Sequence, residues 1–215
     1  MGGDERAHNT VIVLDVSEDK SSDADELTRT LLDRAGELLL ETGPGGLSLR
    51  KLAAAVGTST MSVYTRFGGK PQLLAAMHRE GFERLGRALA EVSDAGDPLA
   101  TLGRVGQAYR RAALASPSLY GLMFGPPPPD LVVAPEDAAA AGSTYRPLVD
   151  AVRRCVEAGV LRGDPDDIAL HLWAVAHGMV GLELAGRLPD SAGPAEEAYD
   201  RALTFAAAPF LLTPR

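Results

Sequence analysis

The sequence predicts an all-α protein: a small N-terminal helix-turn-helix domain followed by a larger helical domain. Three observations predict it. Ala and Leu are abundant while aromatic residues make up only 5%, a composition that favours helices packed on helices. Apolar residues recur at helical spacing along most of the chain, and Gly or Pro interrupts each stripe where a helix should end.

Residues 1–24 are polar and acidic apart from Val11-Ile12-Val13-Leu14, have no helical period, and read as a disordered tail. From Asp25 the stripe Leu27, Leu31, Ala35, Leu38, Leu39 defines a first helix that stops at Thr42-Gly43-Pro44-Gly45-Gly46. Ser48 can cap a second helix with Leu49, Leu52, Ala53 and Val56 inward, and Gly57 permits the turn into a third starting near Ser59. That helix buries Val63 and Phe67 and closes at Gly68-Gly69, after which Pro71 suits the first turn of a long fourth helix ending near Ser93. Further helices are expected over 98–115, 118–124, 136–159, 165–188 and 194–212, eight to nine in all. The run from Gly125 to Pro135 cannot continue a helix and is expected as an extended loop over a pocket mouth.

Charge and motif content exclude several function classes. Cys155 is the only cysteine, so no internal disulfide is possible, and an inert helix cysteine is the expected role. No signal peptide and no membrane-length apolar run are visible, which makes a cytoplasmic protein without membrane contact the expectation. None of His78, His171 and His177 has a Glu three residues before it, no histidine has a second His four residues away, and nucleophile-elbow and phosphate-loop motifs are missing. We therefore expect no catalytic residues, no metal site and no cofactor. The net charge of −8 argues against polyanion binding only on average, since from Thr42 to Arg79 there is no Asp or Glu, while Arg50, Lys51, Arg66, Lys70 and Arg79 lie there.

The segment Leu47 to Phe67 meets the requirements of a helix-turn-helix: two short helices joined at a glycine, the second with small, polar and aromatic side chains outward for a major groove. With Gly68-Gly69-Lys70-Pro71-Gln72-Leu73-Leu74 it resembles the DNA-binding domain of the TetR family, through Ser48, Ala53, Gly57, Tyr64, Phe67, Lys70 and Leu73-Leu74. The resemblance implies that Thr60, Met61 and Ser62 face base edges and that Arg50 reaches a base or phosphate from the second helix. It also implies that Tyr64, Thr65, Arg66 and Lys70 hold phosphates, with Ser48 capping the motif.

In the second half, Trp173 to Gly178 with the helix around them resembles the Trp-His-Gly subtype of TetR C-terminal domains. The implied architecture is a tail (1–24), a DNA-binding domain (25–70) and a C-terminal helical ligand-binding and dimerisation domain (71–215). The implied function is a ligand-responsive repressor that binds a pseudo-palindromic double-stranded DNA operator as a homodimer and is released by an unknown small-molecule effector. Gly178, Gly181, Leu182 and Ala185 make a small-residue stripe suited to a dimer interface. Tyr109, Tyr120, Met123, Phe124, Tyr145, Trp173 and His177 are candidate ligand contacts, although each also suits core packing, with His177 expected to bond a backbone carbonyl. The alternative function is a helical ligand-binding or interaction protein on the same scaffold that does not bind operators.

Overall fold

A computed structural model describes residues 16–94 and 96–212, and over them the fold is all-α. The N-terminal domain comprises α1 (Val16–Gly46), α2 (Leu49–Val56) and α3 (Thr60–Phe67). Helix α1 starts before the apolar stripe does: residues 16–24, expected in the tail, are helical, while residues 1–15 lie outside the described residues. A polar segment has no apolar stripe to reveal it. The α1 ladder is interrupted at Gly43, whose φ of 67° is non-helical, and Pro44 follows.

Both helices of the helix-turn-helix are capped as their sequences imply. The Ser48 hydroxyl accepts the Lys51 N–H at 3.2 Å, and the Ser59 hydroxyl accepts the Ser62 N–H at 3.0 Å. Between them Gly57 takes φ 75°, the left-handed turn that only glycine adopts without strain. Leu31 and Ala35 of α1, Leu52 and Ala53 of α2 and Val63 of α3 bury their side chains in one core.

Helix α4 (Lys70–Ala90) serves two cores: Leu73, Leu74 and Met77 complete the first, Leu85 and Leu89 join the second. The expected boundary at residue 70 therefore meets a helix that belongs to both sides. The second core is built from α5 (Pro98–Ala115), α8 (Arg146–Glu157), α9 (Pro165–Leu184) and α10 (Ala195–Ala207). Within it Arg110 donates to both carboxylate oxygens of Glu183, at 2.8 and 2.6 Å, and lies over the Tyr199 ring.

Three expected elements differ. The helix expected over 136–159 is two, α7 (Pro135–Ser143) and α8, because Pro147 lacks the N–H needed to continue the α7 ladder and instead sits in the first turn of α8. Helix α9 ends before Leu188, where Gly186 turns left-handed and Arg187 N–H bonds back to the Leu182 carbonyl at 2.8 Å. The proline-rich run does not line the cavity described below. It docks on the first core through Leu131, and a turn closed by Leu131 N–H on the Pro128 carbonyl sets Asp130 at its tip.

Helix α6 (Pro117–Phe124) joins the two cores, with Leu119 and Leu122 in the first and Tyr120 in the second. It can do so because glycines face it on both sides. A Cβ on Gly81 of α4 would lie 2.5 Å from Met123 Sδ and 3.4 Å from Leu119 Cβ; one on Gly36 of α1 would lie 2.5 Å from Ser118 Oγ. Gly81→Val should force α6 outward, costing about 2 kcal/mol and lowering Tm by roughly 5 °C. A thermal melt matching wild type would show that the α4–α6 spacing is not fixed by this contact.

Candidate nucleic-acid interface and ligand cavity

The acid-free stretch folds into one surface. Arg50 and Lys51 are exposed on α2, Met61 (73% exposed), Tyr64 (50%) and Thr65 project from α3, and Thr60 and Ser62 are partly exposed in its first turn. Leu49, Leu52, Ala53 and Val63 are the buried residues that fix the mutual angle of the two helices. The first turn of α3 thus presents two hydroxyls and a thioether to solvent, with Arg50 and Tyr64 also in the open. Such a convex, acid-free helix end can enter a major groove roughly 12 Å wide.

Two of the expected phosphate contacts are otherwise engaged. Arg66 donates through Nη1 to the Thr28 hydroxyl of α1, tying the end of the recognition helix to the first helix. Lys70 pairs with Asp130 at 2.8 Å. Ser48 acts through the backbone as a cap. Further along α4 the chain makes a second such tie, where Arg79 clasps Asp137 of α7 at 2.7 and 3.0 Å and holds that carboxyl below the usual carboxylate range.

A cavity of about 640 Å³ opens in the C-terminal domain among α4, α5, α7, α8, α9 and α10. Of the expected ligand contacts, Tyr109, Phe124, Tyr145 and Trp173 line it, whereas Tyr120, Met123 and His177 do not. Those three are packing residues behind the wall. Tyr120 Oη lies 2.6 Å from His177 Nδ1 and 2.8 Å from Tyr109 Oη, so the imidazole is satisfied by a tyrosine hydroxyl rather than by the expected carbonyl. Met123 fills the space over Gly81.

Sequence reasoning missed other lining residues, among them Phe82, Gly103, Thr144, Asp200 and Thr204. Gly103 carried a usable signal. It stands within α5, where glycine is unfavourable, and a Cβ there would meet nothing within 4 Å, so its small size leaves room in the cavity. The remaining residues look like ordinary helix-face positions, and only the packing of distant helices turns them toward a common space.

The expected interface stripe is open: Gly178, Gly181, Leu182 and Ala185 are all exposed, and added Cβ atoms at the two glycines would touch nothing. Among the described residues nothing requires glycine at those two positions.

The same two-part arrangement is found in known proteins. Residues 31–77 match the family model for bacterial regulatory proteins of the tetR family, and residues 102–206 match that for the tetracyclin repressor-like C-terminal domain. The chain belongs to the TetR family. The HTH-type transcriptional regulator Rv1816 of Mycobacterium tuberculosis is 26% identical over 153 residues, covering 67% of this chain and 63% of that protein. This TetR-family chain thus matches less than two thirds of that relative's length. A protein of unknown function from Rhodococcus sp. RHA1 superposes with a TM-score of 0.72 at 30% identity, over 86% of this chain and 96% of that one. AibR, solved with isovaleryl coenzyme A and operator DNA, shares the fold, with a TM-score of 0.65 at 21% identity over 85% of this chain and 99% of that one. Among the described residues, no helix is long and apolar enough to cross a membrane.

Burial holds the imidazoles of His177 and His78 below their ordinary value of 6.5, Asp137 opposing the shift at His78. The unfolded chain then takes up protons more readily than the folded one. The contribution is complete above the ordinary value and is lost as pH falls through it. Thermal melts should therefore show Tm declining between pH about 7 and about 5, and the double variant His78→Asn, His177→Asn should flatten that slope. A wild-type Tm constant over this window would refute the assignment.

Proposed function

We propose that this chain is a ligand-responsive transcriptional repressor that binds a pseudo-palindromic operator as a homodimer and leaves it when a small molecule occupies the C-terminal cavity. The observation that carries the reading is the capped α2–α3 unit, whose acid-free face exposes Arg50, Met61, Tyr64 and Thr65 on a chain of net charge −8. Thr60, Met61 and Ser62 would read base edges together with Arg50, while Tyr64, Thr65 and Lys70 would hold phosphates and Arg66 would stiffen α3 against α1.

Dimerisation is supported by the bare face of α9 and α10. Leu182 is 44% exposed beside Gly178, Gly181 and Ala185, and Phe205 of α10 is 75% exposed. An apolar surface of this kind is usually covered, and small residues allow close helix approach. Trp173, His177 and Gly178 on this helix also support assignment to the Trp-His-Gly subtype.

A ligand effect on DNA binding has a short physical route. Phe124 lines the cavity at the end of α6, and the next residues lead to Asp130, which neutralises Lys70 at the start of α4. A ligand that displaced Phe124 would move the helix that joins the two cores, and a state with different recognition-helix spacing would bind DNA differently. AibR is an example of this fold bound to an acyl coenzyme A and an operator.

Fluorescence anisotropy on the intergenic DNA flanking the chain's own gene tests this. Binding should saturate at an even number of chains per site and weaken steeply with salt. Arg50→Ala and Tyr64→Ala should each reduce affinity by about tenfold or more, whereas Asp130→Asn, which releases Lys70, should raise it. Weak, sequence-indifferent binding by wild type that neither alanine variant changes would overturn the reading in favour of a binding protein on the same scaffold.

A further inference from the structure

The cavity is chemically one-sided. Its volume of about 640 Å³ is walled by aliphatic side chains and by the rings of Phe82, Tyr109, Phe124, Tyr145 and Trp173. Asp200 of α10 is the one charged residue in the wall, and none of the described lining residues is Lys, Arg or His.

The hydroxyl hydrogens of the wall are largely committed. Thr204 donates its hydroxyl hydrogen to the Asp200 carbonyl at 2.8 Å and Thr144 donates to the Ala141 carbonyl at 2.7 Å. Tyr145 Oη lies 3.5 Å from the Asp166 carbonyl, and Tyr109 Oη is held in the Tyr120–His177 cluster. What the wall still offers is hydroxyl lone pairs, aromatic faces, the neutral Trp173 indole N–H and the Asp200 carboxylate. The Gln107 amide occupies Oδ1 of that carboxylate, and the neighbouring Arg201 is engaged by Glu197 and the Ala192 carbonyl.

A carboxylate or phosphate entering this space would find no positively charged side chain among the described lining residues and would face Asp200, so the loss of its hydration would be poorly compensated. A positive charge meets the opposite situation: a carboxylate at the exposed end and ring faces along the wall. We propose that the cavity takes a lipophilic cation, an alkyl or aryl body bearing one protonated amine or quaternary nitrogen, seated with its charge at Asp200 and its body among the rings. Asp200 is exposed, so the charged head keeps part of its hydration while the apolar body is buried. This rests on the reading of the cavity as the effector site.

Trp173 is the only tryptophan and lies in the wall, so its fluorescence reports occupancy of the cavity. The full chain is titrated, below micelle-forming concentrations, with decyltrimethylammonium, decanol and decanoate, which share one alkyl chain and differ in head-group charge. The expected order of affinity is ammonium, alcohol, carboxylate, with the first and last separated by about tenfold. Asp200→Asn should weaken the ammonium by about fivefold relative to decanol, the neutral probe serving as the control for an intact cavity. Decanoate binding as tightly as the ammonium, or Asp200→Asn altering ammonium and alcohol alike, would overturn the ligand class and leave the effector site standing. No response of Trp173 to any of the three would overturn the effector-site reading, and the ligand class with it.

Discussion

The contact on which the molecule depends is the close approach of α6 to α4 at Gly81. A single hydrogen in place of a methyl lets Met123 and Leu119 settle against α4, and the same helix then places Leu122 in one core and Tyr120 in the other. Close packing makes such a junction stiff, because side chains interdigitated without voids move together. The two domains are consequently coupled by shared side chains as well as by the continuity of α4. Arg84 reinforces the junction at its edge, reaching Asp33 of α1 and Glu80 of its own helix.

The N-terminal domain was legible in the sequence because its elements are locally determined. Ser48, Gly57 and Ser59 act on residues within a turn of themselves, so capping chemistry and a left-handed glycine could be read from neighbours alone. The start of α1 was not, since residues 16–24 carry no apolar stripe for periodicity to detect. The α7–α8 break carries a local mark in Pro147, which sits in the first turn of α8.

The cavity was legible only in part. Aromatic residues were a reasonable search criterion and found Tyr109, Phe124, Tyr145 and Trp173, yet Tyr120 and His177 satisfy the same criterion and pack behind the wall. Which ring faces the space is decided by the rotation of each helix about its axis, a property of contacts between residues far apart in the chain. Asp200 and Arg110 illustrate the same limit from the polar side: one is a carboxylate at a cavity mouth with no cation paired to it among the described residues, the other a buried guanidinium answered by Glu183, and nothing near either in sequence foretells these settings. The Lys70–Asp130 pair joins residues from the start of α4 and from a loop, and required the folded chain to be seen.

The segment Pro126 to Pro129 gives the connection after α6 an unusual mechanical character. Each proline has its φ restricted by the pyrrolidine ring before folding begins, so the segment gives up little conformational freedom on becoming ordered. A flexible tether of the same length would absorb a displacement of Phe124 by bending. A run of prolines resists bending and hands the displacement on, behaving as a strut between the end of α6 and the turn that carries Asp130.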